Sequence, residues 1–321
     1  MANILVAPAF WKSKTLFAKA ETTYDTVATL VATDWIEGRN VSFTPYQASQ
    51  VDRNIDFQGK GRMARLNSVP SVKLTFDVAI APSGSKGVAP KWGSLLLGSG
   101  FAETVVATTS VTYNLVSGSE KSLTFAFANG QDKWLITGAR GTVTFKLSAN
   151  GIPLMSYEFT GHYNAPVANT GGAALPTPDK TGWTVEQMVD RRYSMGSINA
   201  GTAVPVAFKD FSVNVAQSIK AIEYPGPQSE VLIDDRAPTS ELQMLAPARS
   251  VLDPDSLITN ATVVSGSFIH GVGAGKVATL NTRGRVTNYN TVELDGLLGY
   301  KLDFDLEASS ATNDEFSLVL T

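Results

Sequence analysis

Two stretches of this chain repeat each other, and the repeat constrains the fold more than any other feature. Arg140-Gly141-Thr142-Val143-Thr144 returns as Arg283-Gly284-Arg285-Val286-Thr287, a spacing of 143 residues (283 − 140 = 143). At that spacing Leu154 falls on Leu297, Tyr157 on Tyr300 and Phe159 on Leu302. Upstream, Pro70-Ser71-Val72-Lys73-Leu74 is echoed by Pro238-Thr239-Ser240-Glu241-Leu242 at a spacing of 168 (238 − 70 = 168). The second copy is therefore 25 residues shorter between the two anchors (168 − 143 = 25). An internal duplication dictates architecture, because both copies must bury the same pattern of side chains. The expected organisation is a first unit over residues 1–166 with an N-terminal arm, a connection over 167–199 and a second unit over 200–321.

Within both copies the apolar residues alternate with polar ones. Val72, Leu74, Phe76 and Val78 do so around Lys73, Thr75 and Asp77; Val143, Phe145 and Leu147 around Thr144 and Lys146; Leu302, Phe304 and Leu306 around Asp303 and Asp305. Successive side chains of a strand point to opposite faces, so this is the pattern of half-buried β-structure. Asn129-Gly130 and Asn150-Gly151 lie between such runs and signal hairpin turns. Helix signals are few: Pro90 opens a short apolar run closed by Gly98 or Gly100, and Pro254-Asp255-Ser256-Leu257-Ile258 stands at the comparable place in the second copy. The expected fold is mainly β: two tandem antiparallel sandwich or barrel units, each with a short flanking helix. Thr170 to Asp179 is rich in turn residues and reads as the interdomain connection. Residues 53–68 and 221–237 are polar segments between strands at matching places in the copies, long enough to imply a function or a partner.

The composition removes several classes of function. Charged residues are 17% of the chain, and the net charge is −3, which argues against a binder that reads nucleic acid with a basic stripe. There is no cysteine, hence no disulfide framework and no thiolate metal site. The start, Met1-Ala2-Asn3-Ile4-Leu5-Val6, has no basic region ahead of an apolar run, so no general export signal and no membrane insertion are expected. Of the two histidines, His162 falls on the polar phase of its strand. His270 precedes a glycine-rich run, Gly271 to Gly275, that resembles a nucleotide loop; the residues after it read as a strand, not the helix a dinucleotide site needs. Asp234-Asp235 and the pair Asp253, Asp255 read as solvated turn carboxylates, and Arg191-Arg192 as a lone basic pair. The expectation is a protein with no catalytic residues, no metal and no cofactor.

A longer ordered series runs through the chain: Pro90 to Glu103, then Ser110-Val111-Thr112-Tyr113, Leu135 to Phe145, Gly151-Ile152-Pro153-Leu154, Phe159-Thr160-Gly161 and Pro176-Thr177-Pro178. With the opening from Leu16 to Asp25 and the stretch from Pro45 to Asn54, it resembles the tail tube (major tail) proteins of long-tailed bacteriophages; the run from Gln58 to Arg62 departs from the pattern. The resemblance implies stacked rings around a lumen that holds the tape measure protein and later DNA, tail terminator and distal tail proteins at the tube ends, and a place in the virion tail after assembly in the host cytoplasm. Six tube units per ring is the family's common arrangement, so three duplicated chains would close a pseudo-sixfold ring. On this reading the polar segments are inter-ring loops carrying Gln58, Lys60, Arg62, Arg65, Tyr224 and Gln228. Asp303, Asp305 and Glu307, on one face of one strand, are candidates for the lumen wall. The rival readings are a two-domain immunoglobulin-like capsid decoration or adhesin protein, and a carbohydrate-binding or hydrolytic β-protein, which would need clustered aromatics and carboxylates.

Overall fold

The computed structural model describes residues 11–56, 61, 63–226 and 228–321. Alternation yields strands where it was read. In the first half these are β1 (Thr15–Ala20), β2 (Arg39–Gln47), β3 (Ser71–Ala79), β4 (Phe101–Val106), β5 (Ser110–Leu115), β6 (Leu123–Ala128), β7 (Asp132–Ser148) and β8 (Leu154–Tyr163), with α1 (Gly93–Leu97) ahead of β4. The second half holds β9 (Ser194–Asn199), β10 (Ala203–Val206), β11 (Phe208–Asn214), β12 (Gln217–Ile222), β13 (Glu230–Arg236), β14 (Thr239–Leu245), α2 (Pro254–Thr259), β15 (Val263–His270), β16 (Ala278–Leu294), β17 (Leu297–Leu306) and β18 (Phe316–Leu320). The strand pairs are antiparallel, and the sheet is open where a closed barrel was one expectation.

The pairings repeat with the sequence. In the first half β2 lies on β3, β3 on β8 and β8 on β7; β7 also carries β6, and β6 carries β1. In the second half β11 lies on β14, β14 on β17 and β17 on β16; β16 also carries β15, and β15 carries β9. Gly141 and Gly284 hold the same place in the two copies. A Cβ on Gly141 would come within 2.4 Å of Glu158 O, and one on Gly284 within 2.3 Å of Asp305 O, so each glycine lets its long strand press against the next. The echo beyond the motif slips, however: Val143 faces Tyr157, but Val286 faces Phe304, four residues past Tyr300 (304 − 300 = 4). The β16–β17 hairpin is longer, and its tip is a two-residue turn at Asp295 and Gly296, both with positive φ.

The shortfall of the second copy is also located. Residues 98–122 separate α1 from β6, whereas only 260–262 separate α2 from β15. The first copy uses the difference for the β4–β5 hairpin, and the C-terminal strand β18 inserts between β5 and β16. A second ladder joins the halves: the C-terminal end of β7 pairs with β11, Phe145 opposite Val213 and Leu147 opposite Phe211. The result is an eight-strand surface in the order β2–β3–β8–β7–β11–β14–β17–β16, under which one continuous apolar cluster runs from Leu16 to Leu320. Helix α1 lies on that cluster through Leu95 and Leu96, and the adjacent Trp92 indole donates to Ala81 O at 2.8 Å.

The stretch expected as a connection is fastened along its length. Trp183 meets Trp35 edge-on, Glu186 pairs with Arg39 at 2.6 Å, and Gln187 accepts the Val272 N–H at 2.8 Å. Its last residues form β9, which pairs with β15.

Candidate functional site: two free sheet edges and a polar face

The functional surface follows from where pairing stops. Strand β11 has a neighbour on each side, β14 and β7. Its counterpart β2 has β3 on one side and, among the described residues, no strand on the other. Strand β7 carries β6 as far as Ala139 and takes β11 along the same side from Thr144 to Ser148. Its counterpart β16 carries β15 as far as Arg285; beyond that, over residues 286–294, that side has no strand among the described residues. These two free edges are thus the counterparts of the two edges that join inside the chain. Unpaired strand N–H and C=O groups are a template for another strand, and a long exposed edge on a soluble protein is a hazard unless it is used. Here β2 is guarded by lysine, Lys14 Nζ capping Val41 O at 2.7 Å.

A second element of the seam is the twisted hairpin β12–β13, an arm that crosses β7 and β8 of the first half. Arg140 donates to Glu230 at 2.7 Å and to Val231 O at 2.8 Å, and Val231 N–H donates to Tyr24 Oη at 2.6 Å. Burial pushes the Tyr24 hydroxyl up to about 12. Gln217 at the arm's base donates to Ser99 O at 2.5 Å, and its backbone N–H to Thr142 Oγ1 at 3.1 Å. The arm lies this close because Gly100 and Gly138 carry no Cβ: one on Gly100 would meet Gln217 Nε2 at 2.3 Å, and one on Gly138 would meet the Tyr24 hydroxyl at 2.7 Å, both at positive φ. Gly100 had been read only as a helix stop. The arm itself had been read as the polar segment 221–237, because its covered residues (Val231 above all) lie too few in a row to announce a strand.

The eight-strand surface turns its other face outward, and that face is polar over most of its extent, with Leu245 and Leu297 exposed on it toward the β16–β17 turn. Asp303, Asp305 and Glu307 lie on it, as their alternation with buried Leu302, Phe304 and Leu306 requires. They do not form a bare acidic row. Glu307 sits 3.0 Å from Arg285 and 3.7 Å from Arg283; Lys301 Nζ bridges Glu241 at 2.9 Å and Asp303 at 4.0 Å; Asp305 is exposed and has no ion pair among the described residues. Asp77, Glu158, Asp210 and Glu241 extend the face on neighbouring strands, with Lys73, Lys146, Arg285 and Lys301 interspersed. With Arg283, the groups named are seven carboxylates against five cations, a net of −2 (5 − 7 = −2).

Of the inter-ring candidates, Arg65, Tyr224 and Gln228 are among the described residues. Gln58, Lys60 and Arg62 lie outside the described residues. Arg65 is held by Asp52 at 2.5 Å, while Tyr224, 75% exposed, and Gln228 stand free of the body near the tip of the second arm. The chemical candidates resolve into structure. The glycine-rich turn after His270 leads into β16, as read from the sequence, and His270 is buried against Ser194 Oγ at 2.9 Å; burial holds its imidazole below the usual range. His162 pairs with Asp25 at 3.0 Å. Asp253 and Asp255 both pair with Arg249, Asp234 pairs with Lys220, and Arg192 pairs with Asp190 at 2.6 Å. No group of three or more metal-ligating side chains gathers among the described residues, and no helix there is long and apolar enough to cross a membrane.

A β-protein whose two halves join edge to edge, and whose outer edges are counterparts of that joint, has the build of a self-associating structural protein. A family model described as phage tail tube protein matches residues 11–308, and the chain belongs to that family. No curated protein matches it. The sequence resemblance is thereby borne out, and the chain is a structural tail tube protein. Two self-contained immunoglobulin-like sandwiches would each have closed their own core, whereas here ladder and core run across both halves.

Proposed function

We propose that this chain polymerises into stacked rings that form the phage tail tube and conduct DNA into the host. The observation that carries the reading is the pair of free edges. Joining β2 of one copy to residues 286–294 of β16 in the next would repeat the β7–β11 joint. Heterologous contacts of this kind close when the rotation divides a full turn. We take the units as about 1–166 and 200–321, the second drawing its first strand, β9, from the 167–199 connection. Two units per chain and six units per ring give three chains. The polar face would then line the lumen, around the tape measure protein and later DNA, with tail terminator and distal tail proteins capping the ends. Tyr224 and Gln228, exposed near the end of the second arm, would meet an adjacent ring. No catalysis and no cofactor enter this role.

The absence of cysteine makes a direct test simple. Asp210 faces Ser148 in the internal joint; the counterparts are Ser42 (210 − 168 = 42) and, because a bulge between Val286 and Asn288 advances β16 by one residue, Val292 (148 + 143 + 1 = 292). Ser42→Cys combined in turn with Asn288→Cys, Asn290→Cys and Val292→Cys, which share the outer face of β16, should give, for at least one pair, an intermolecular disulfide that links copies into closed trimers on a non-reducing gel. If every pair remains monomeric in assembled material, the edge joint is wrong.

A further inference from the structure

The arm of the second unit has a seat within the chain; the corresponding arm of the first has none among the described residues. The first arm begins as the short ladder of Gln50–Val51 with Leu66–Asn67. The two arms match in register. Gln50 opposite Asn67 stands seven residues beyond Phe43 opposite Leu74, and Ser218 opposite Asp235 stands seven residues beyond Phe211 opposite Leu242 (50 − 43 = 218 − 211 = 7). The next pair in is Val51 with Leu66 in one arm and Ile219 with Ile233 in the other. Their surroundings differ. Ile219 and Ile233 are partly covered and Val231 beside them is fully buried, but Val51 and Leu66 are 61% and 60% exposed, with Val69 next to them at 63%. A two-stranded ladder with an apolar side open to water is marginal on its own, and clustered exposed apolar residues mark a contact surface.

We propose that the first-unit arm seats on the second unit of a neighbouring copy of this chain, across β16 and β17 beside Arg283 and Arg285, as the second-unit arm seats across β7 and β8 beside Arg140. The inference rests on the ring reading above and adds to it: the base of the first arm closes the ring. The internal seam also supplies the contact to probe. Gln217 donates its backbone N–H to Thr142; the counterparts are Ser49 (217 − 168 = 49) and Arg285 (142 + 143 = 285), both exposed.

The test uses the full chain. Val51→Asp with Leu66→Asp should leave the far-ultraviolet spectrum and melting temperature of the monomer at wild-type values, because neither side chain is packed. It should also raise the concentration needed for ring formation by about tenfold or more, the effect of losing one to two kcal/mol per contact. In sedimentation velocity and negative-stain images the product should be monomer. Separately, Ser49→Cys with Arg285→Cys should form an intermolecular disulfide. Wild-type assembly by the double aspartate variant overturns the proposal, and so does an accumulation of intact single rings that fail to stack, since the arm would then serve the adjacent ring. The edge cross-links separate this from the parent reading. If they form while neither arm test responds, the ring stands and the arm contact falls; if the arm disulfide forms without them, the contact stands and the edge joint falls.

Discussion

At the scale of the residue, the seam is held by groups whose role depends on distant partners. Arg236, at the end of the second arm, donates to Glu315 at 2.6 Å, to Val116 O at 2.6 Å and to Asn313 at 2.5 Å, tying the arm, the β5 loop and the C-terminal strand together. Glu315 is buried, and its second oxygen has no partner. Removing the cation strands that carboxylate. Arg236→Ala should therefore cost about 3–5 kcal/mol in urea unfolding, and adding Glu315→Gln should recover part of the loss because the orphaned group is then neutral. A loss under ~1 kcal/mol, the scale of an exposed pair, would mean water reaches the site. Nothing in the sequence announces this pair: 79 residues separate the partners, and Arg236 reads as one more charge in a polar segment. Glu21 is similar, buried yet accepting hydrogen bonds from Ser122, Thr124 and the Gly138 N–H. Local alternation fixes which face a side chain takes, not which remote partner meets it.

At the scale of the element, what was legible was whatever has a period. Strands β3, β7, β8, β11 and β17 stand where alternation set them, and both helices stand at their prolines or glycines. Strand β9 was not legible, because Ser194-Met195-Gly196-Ser197-Ile198-Asn199 buries little beyond Ile198, and neither was the arm. The sequence also left open how the halves connect. That is set by β7–β11 and by β18, whose Phe316, Leu318 and Leu320 are buried between β5 and β16. Such stitching couples the halves energetically. Calorimetry of the unassembled chain should give one transition with equal calorimetric and van't Hoff enthalpies, whereas two resolved transitions would mean that the units unfold independently. Leu318→Ala, at about 2–5 kcal/mol, should lower that single transition without splitting it.

At the scale of the whole molecule, the outward face of the eight-strand surface bears on the proposed conduit role through its charge. On that proposal, the tube has to let a polyanion pass without holding it. Duplex DNA carries about one charge per 1.7 Å of axis and binds cationic surfaces by releasing counterions. The face, with seven carboxylates against five cations among the groups named, would repel that charge weakly when repeated around a ring and hold no cation unpaired beside Asp303 or Glu307, since Lys301, Arg283 and Arg285 are each engaged with a carboxylate. The pairing changes how the face should be tested. Glu307 is engaged by Arg285, so substituting it frees an arginine and disturbs the strand end, while Asp305 has no ion pair to lose and Asp303 only a distant one. Asp303→Lys with Asp305→Lys shifts each chain by +4 on one patch and leaves the buried side of β17 untouched. If the face lines the lumen, particles carrying the pair should assemble and then eject DNA more slowly, by about tenfold at low salt, with the rate recovering as ionic strength rises and the Debye length falls to about 3 Å near 1 M. Ejection at the wild-type rate at every salt concentration, from tubes of normal length, would place this face on the outside of the tube.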